Sequence, residues 1–162
     1  MTDTIEIDGL TFGIALEPDV DAGCPWDNMD TLGTVTGWES RDKLPGERII
    51  NAERGNCKRF YDFAGAVAKA RRDEGLTGPR AVEAVEQEFQ YLKDWCDDRW
   101  QYVGVVVTLL DTEGNPTHEQ DSIWGVDDDG DYAKTLAYDL ALGLHTRVGS
   151  LDVLTTETRI RS

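Results

Sequence analysis

Long apolar runs are missing from these 162 residues. No stretch approaches the roughly 20 apolar residues of a membrane span, and Met1-Thr2-Asp3-Thr4-Ile5-Glu6 has neither the basic nor the apolar portion of a secretory leader. The expectation is a cytoplasmic chain with no membrane partner. Cysteine is scarce and odd in number. Cys24, Cys57 and Cys96 are widely spaced, form no CxxC pair and share the chain with two histidines, so neither a disulfide framework nor a structural zinc site is indicated. There is also no Gly-rich phosphate loop after a strand, no GxSxG and no HExxH. No catalytic residue, metal or cofactor is expected, and an enzyme is the weaker class.

Bases are in short supply: 16 Lys and Arg stand against 32 Asp and Glu, for a net charge of −16. They are also unevenly placed. Between Arg41 and Arg72 nine bases (Arg41, Lys43, Arg48, Arg54, Lys58, Arg59, Lys69, Arg71, Arg72) face four acids (Asp42, Glu47, Glu53, Asp62), so this segment is +5 and the remainder −21. A field of that sign repels nucleic acid and anionic membranes and attracts basic surfaces, including the nucleic-acid-binding grooves of other proteins. Solubility and adaptation to salt are the plain alternatives.

What is present is enough for a core. Hydrophobic residues make up 40 % of the chain, with five tryptophans, too many for a disordered acidic polymer. The length suits one domain, residues 1–162. Ile5-Glu6-Ile7 and Leu10 to Leu16 are strand-like around Asp8-Gly9, a dipeptide suited to a tight hairpin turn. Residues 18–55 are dense in Gly, Pro, Asp and Asn and read as a long irregular loop, with short extended pieces at Thr34–Trp38 and Glu47–Asn51. Trp26 and Trp38 are candidates to pin that loop and to supply contacts. Phe60–Glu74 is helix-like, and a second helix from Pro79 to about Trp100 carries a seam of Val82, Val85, Phe89, Leu92 and Cys96. Tyr102–Leu110 and His118–Val126 form a second hairpin, Asp131–His145 a last helix, and a short tail follows Gly149. The order ββ, loop, αα, ββ, α predicts an α+β fold: a small antiparallel sheet of hairpins with about three helices on one face.

Asp127-Asp128-Asp129-Gly130-Asp131 resembles a calcium loop only superficially. With Gly130 at the sixth position, Gly125 and Leu136 fall where an EF-hand needs acids, so helix capping is the better reading. On the Pro79–Trp100 helix, Glu83, Glu86, Glu88, Asp94, Asp97 and Asp98 surround the seam. Carboxylates one turn apart are spaced about 5–6 Å, comparable with phosphates along a strand. Glu83, Glu86, Asp94, Asp97 and Asp98, with Asp127, Asp128 and Asp129, are therefore candidate residues of a nucleic-acid-like acidic surface, against the simpler reading of a solvated helix face. The bases from Arg41 to Arg59, interleaved with Trp38, Phe60 and Tyr61, carry the opposite possibility of a nucleic-acid patch, although pairing with the surplus acids is the simpler fate. Cys96 falls on the apolar seam. Cys24 and Cys57 lie in loops, and a cysteine enzyme would need one of them beside His118 or His145.

Cys24-Pro25-Trp26, Trp38-Glu39-Ser40-Arg41-Asp42-Lys43-Leu44-Pro45-Gly46-Glu47-Arg48, Lys58-Arg59-Phe60-Tyr61-Asp62 and Trp95-Cys96-Asp97-Asp98-Arg99-Trp100-Gln101-Tyr102-Val103-Gly104-Val105 resemble small acidic proteins encoded by bacteriophages and prophages of proteobacteria. The resemblance covers roughly residues 24–132 and supplies no site residues. It implies a setting in which accessory proteins bind host machinery. The expectation is a protein that binds and inhibits a host nucleic-acid-handling or defence protein, of restriction or CRISPR type, through a DNA-mimicking acidic surface. Its partner would present a basic surface, and direct contact with nucleic acid is not expected. The alternatives are a nucleic-acid-binding module built on residues 41–72 and a small cysteine-based enzyme.

Overall fold

The computed structural model describes residues 3–161, and the side chains of these except 54 and 150–161. The chain is α+β. Read from its length as one domain, it divides by its contacts into two compact units, one from the residues up to Ala22 and from Gln101 onward, the other from Gly23 to Trp100.

The first unit is a four-stranded antiparallel sheet. Strands β1 (Asp3–Ile7) and β2 (Leu10–Pro18) are joined at Asp8-Gly9, both with positive φ (49° and 82°), as a two-residue hairpin turn requires. Strands β5 (Tyr102–Leu110) and β6 (Pro116–Asp127) complete the order β1-β2-β5-β6. Alternation along the strands sends Phe12, Val103, Val105, Val107, Leu109 and Val126 to one face. Helix α4 (Tyr132–Arg161) covers that face with Ala133, Ala137, Ala141 and Leu144. Spacings of four, four and three place these residues on one stripe, and the alanines let the helix approach closely. The helix expected to end at His145 continues to Arg161, through the residues after Gly149 that were expected to form a short tail.

The second unit has a separate core. Strands β3 (Glu47–Ala52) and β4 (Lys58–Asp62) form a hairpin, followed by α2 (Phe63–Asp73) and α3 (Gly78–Cys96). Ile50, Tyr61, Ala66, Ala70, Ala81, Val85, Phe89 and Leu92 are its buried residues. The long loop contains one helical turn, α1 (Pro25–Asn28), and is stitched to β4 by bridges Val35–Tyr61 and Glu39–Lys58. These bridges and β3 occupy the two extended pieces expected from sequence.

The boundaries of α2 and α3 also differ from expectation. Phe60, Tyr61 and Asp62 belong to β4 because they pair with Ile49, Arg48 and Glu47. The helix starts only at Phe63, where the Asp62 side chain accepts from Gly65 N. On α3 the buried seam runs through Ala81, and Val82 is 42 % exposed. The helix stops at Cys96, short of Trp100.

Candidate functional site

The two units differ sharply in charge. Residues 1–22 and 101–162 hold seventeen acids and four bases, net −13, whereas residues 23–100 hold fifteen acids and twelve bases, net −3. No base precedes Arg41.

Five of the nine bases of the basic segment, Arg41, Arg48, Arg59, Lys69 and Arg72, are engaged within their own unit. Arg41 donates from Nε to Glu39 over 2.6 Å and from its two terminal nitrogens to Glu47 over 2.8 and 2.9 Å, with its guanidinium 4.0 Å from the centre of the Phe60 ring. Donation from Arg41, joined by the Leu44 N–H, holds the Glu47 carboxyl down to about 2. Arg48 makes a bidentate pair with Glu86 at 2.7 and 2.6 Å and lies 3.8 Å over Phe63 and 5.2 Å over Phe89. Arg59 stands 4.5 Å from the centre of Trp38 and 5.1 Å from that of Trp26, with a buried Nε that has no hydrogen-bond partner. Lys69 donates to the Thr31 carbonyl and Arg72 pairs with Asp73. Each arginine seat joins ring faces to a planar cation, and two of them add a carboxylate at the edge. Lys58 and Arg41 also line an open polar cavity of about 410 Å³ with Ser40, Asp42 and Asn56.

Trp26 and Trp38 therefore act as pins. Trp26 also meets Trp95 edge-on, with ring centres 5.4 Å apart at 88°. The carboxylates proposed from sequence are dispersed in role. Glu83, Glu86, Asp94 and Asp97 share one ridge of α3 by their spacing, but Glu86 holds Arg48, Asp94 takes Gln90 and lies 3.6 Å from Arg99, and Asp97 lies 3.4 Å from Lys93. Asp98 follows the helix in a left-handed conformation, φ 59°. Asp127, Asp128 and Asp129 belong to the other unit, where Asp128 accepts the Gln101 N–H over 2.7 Å. They carry charge at the head of α4. Among the described residues no group of three or more His, Cys, Asp or Glu is placed to hold a metal.

His145 Nε2 lies 3.2 Å from Asp8, and His118 is exposed on β6. Cys24, Cys57 and Cys96 are free thiols of intermediate exposure, and burial pushes the Cys96 thiol up.

Two residues carry more structure than their sequence context suggested. Glu88 accepts from Leu32 N, Gly33 N and the Tyr61 hydroxyl, so one helix carboxylate closes the long loop. Its signal was its position on the buried stripe, three residues after Val85 and four before Leu92. Trp124 is 49 % exposed and lies against Gly104 of β5, where a Cβ would collide with its six-membered ring. Its signal was a glycine inside the β-branched run Val103–Val107. The chain matches no protein-family model, no curated protein and no solved structure.

Proposed function

We propose that this protein is a non-catalytic binding protein of the bacteriophage accessory type. Its target is a basic, nucleic-acid-binding surface on a host protein, which it occupies and inhibits as a mimic of nucleic acid. The observation that carries this reading is the partition of charge. Of the nine bases of residues 41–72, Arg41, Arg48, Arg59, Lys69 and Arg72 are engaged by carboxylates, rings or a carbonyl of their own unit, while the unit built on β1, β2, β5, β6 and α4 keeps a net −13. Of its two fully described bases, Lys134 and Arg147, the second is already paired with Glu119 at 3.0 Å. Exposed Glu6, Glu17, Asp21, Glu113, Asp129 and Asp139 face solvent, and four bases stand against seventeen acids in this unit. Such a surface accelerates encounter with a cationic groove and repels nucleic acid itself. The resemblance to small acidic phage proteins supports the setting. The nucleic-acid-binding alternative loses support because Arg41 and Arg48 already have anionic partners.

Immobilised protein would be exposed to a proteobacterial lysate at low salt and eluted with stepwise salt and, separately, with duplex DNA. The reading expects a nucleic-acid-handling protein that leaves at moderate salt and is displaced by the duplex, because a charge-dominated contact weakens steeply with ionic strength. Recovery of nucleic acid alone, or of nothing above background, overturns it.

A further inference from the structure

Four of the five tryptophans lie between residues 23 and 100. The fifth, Trp124, belongs to the acidic unit and is displayed by a built feature. Between Val103 and Val105 the β5–β6 register shifts, and Gly125 takes a positive φ of 73°, the mark of a bulge that re-aims a side chain. The Gly125 N–H is fixed by Asp19 Oδ2 over 2.9 Å. This turns the Trp124 ring onto Gly104, on the sheet face opposite the α4 core, and leaves half of the residue exposed. Glu17 is the register partner of Gly104. Residues directly opposite in an antiparallel pair project from the same face, so the exposed Glu17 carboxylate emerges beside the indole, and Asp19 follows two residues later.

The chain itself shows what such an arrangement holds. Arg48 sits on Phe63 with Glu86 at its edge, and Arg41 on Phe60 with Glu39 and Glu47 at its edge. Around Trp124 the ring and the carboxylates are in place, and among the described residues no guanidinium or ammonium lies over it. Tryptophan is the best of the aromatic rings for this contact. Resting on the acidic docking reading above, we infer that Trp124, flanked by Glu17 and Asp19, is the seat for an arginine side chain of the basic partner. The guanidinium stacks on the exposed indole face, and its N–H groups are met by Glu17. Surface charge then supplies attraction at a distance, and Trp124 fixes where the partner engages.

The probe is a deca-arginine peptide, titrated calorimetrically into the full chain across a salt series and compared with deca-lysine. Wild type binds deca-arginine more tightly than deca-lysine, because a planar guanidinium stacks on indole better than an ammonium. Trp124→Leu keeps an apolar cover over Gly104 but has no π-face, so it weakens deca-arginine binding about three- to thirtyfold and leaves the salt slope unchanged. Trp124→Phe recovers part of the loss. Glu17→Gln weakens binding and lowers the slope, whereas Glu113→Gln, on the remote β5–β6 turn, changes affinity much less than Glu17→Gln does. Thermal unfolding of each variant confirms that the sheet is intact. If folded Trp124→Leu binds like wild type, the arginine seat is wrong and the acidic docking reading stands. If wild type fails to bind deca-arginine even at low salt, the docking reading falls, and the seat with it.

Discussion

The phenol of Tyr61 donates to Glu88 Oε2 over 2.6 Å, joining the fully buried tyrosine of β4 to helix α3. The same carboxylate accepts Leu32 N at 2.9 Å and Gly33 N at 3.0 Å. Gly33 has no room for a side chain, because the Tyr61 ring fills the place of its Cβ. Burial, reinforced by the bond to Glu88, pushes the phenol above its ordinary value and keeps it a donor. Glu88→Ala strands three donors and is expected to cost about 3 kcal/mol, and Tyr61→Phe, which removes one, about 1 to 2 kcal/mol. Urea unfolding measures both. Amide exchange at Leu32 and Gly33 should accelerate in Glu88→Ala, and unchanged exchange there would show that something else holds the loop.

Arg59 and Trp38 form a second clasp on the same loop. The guanidinium lies 4.5 Å from the Trp38 ring centre, and the Glu39–Lys58 bridge, with N–H···O distances of 2.8 and 2.9 Å, holds the flanking backbones together. A double-mutant cycle of Arg59→Ala and Trp38→Ala should return a coupling of about 1 kcal/mol. Arg59→Lys keeps the charge without the planar stack and should recover less than half of the single-mutant loss. Additive single mutants would sink the clasp.

Much of the fold was readable because its signals are local. Asp8-Gly9 specified its hairpin through the two positive φ angles that it tolerates, and the β-branched run from Val103 specified β5. The α3 stripe was misplaced by one residue because alanine gives a weak apolar signal, so exposed Val82 was chosen over buried Ala81. The roles of the charges were not readable, since their partners are remote in sequence: Arg48 meets Glu86 38 residues on and Glu88 meets Leu32 56 residues back. An acid that closes a loop and one that faces solvent look alike until the stripe they stand on is fixed.

Cys96 is half-buried at the end of α3, and burial raises its thiol above the ordinary range despite a hydrogen bond with Asn51. Only the thiolate alkylates. At pH 8, peptide mapping after iodoacetamide should therefore show Cys96 modified more slowly in the native protein than in urea. Native labelling at the unfolded rate would contradict the buried setting.

The clearest pH dependence belongs to Glu47. Donation from Arg41, followed by the Leu44 N–H, lowers its carboxyl from an ordinary 4.5 to about 2 in the folded protein, and the Arg48 pair lowers Glu86 in the same direction. A depressed folded value means that the unfolded chain takes up the proton first. The stabilisation is therefore complete above about pH 4.5 and is lost progressively as pH falls towards 2. Protonation of the other carboxylates acts in the opposite sense by relieving self-repulsion in a chain of net charge −16, so the total pH curve of the wild type does not isolate this pair. The difference between wild type and Glu47→Gln does. Measured by urea unfolding, that difference should be constant from pH 7 to pH 5 and shrink steadily below pH 4.5. A difference that stays constant down to pH 2.5 would show that Glu47 titrates in the folded protein as it does in the unfolded chain, and that the Arg41 pair contributes nothing to stability.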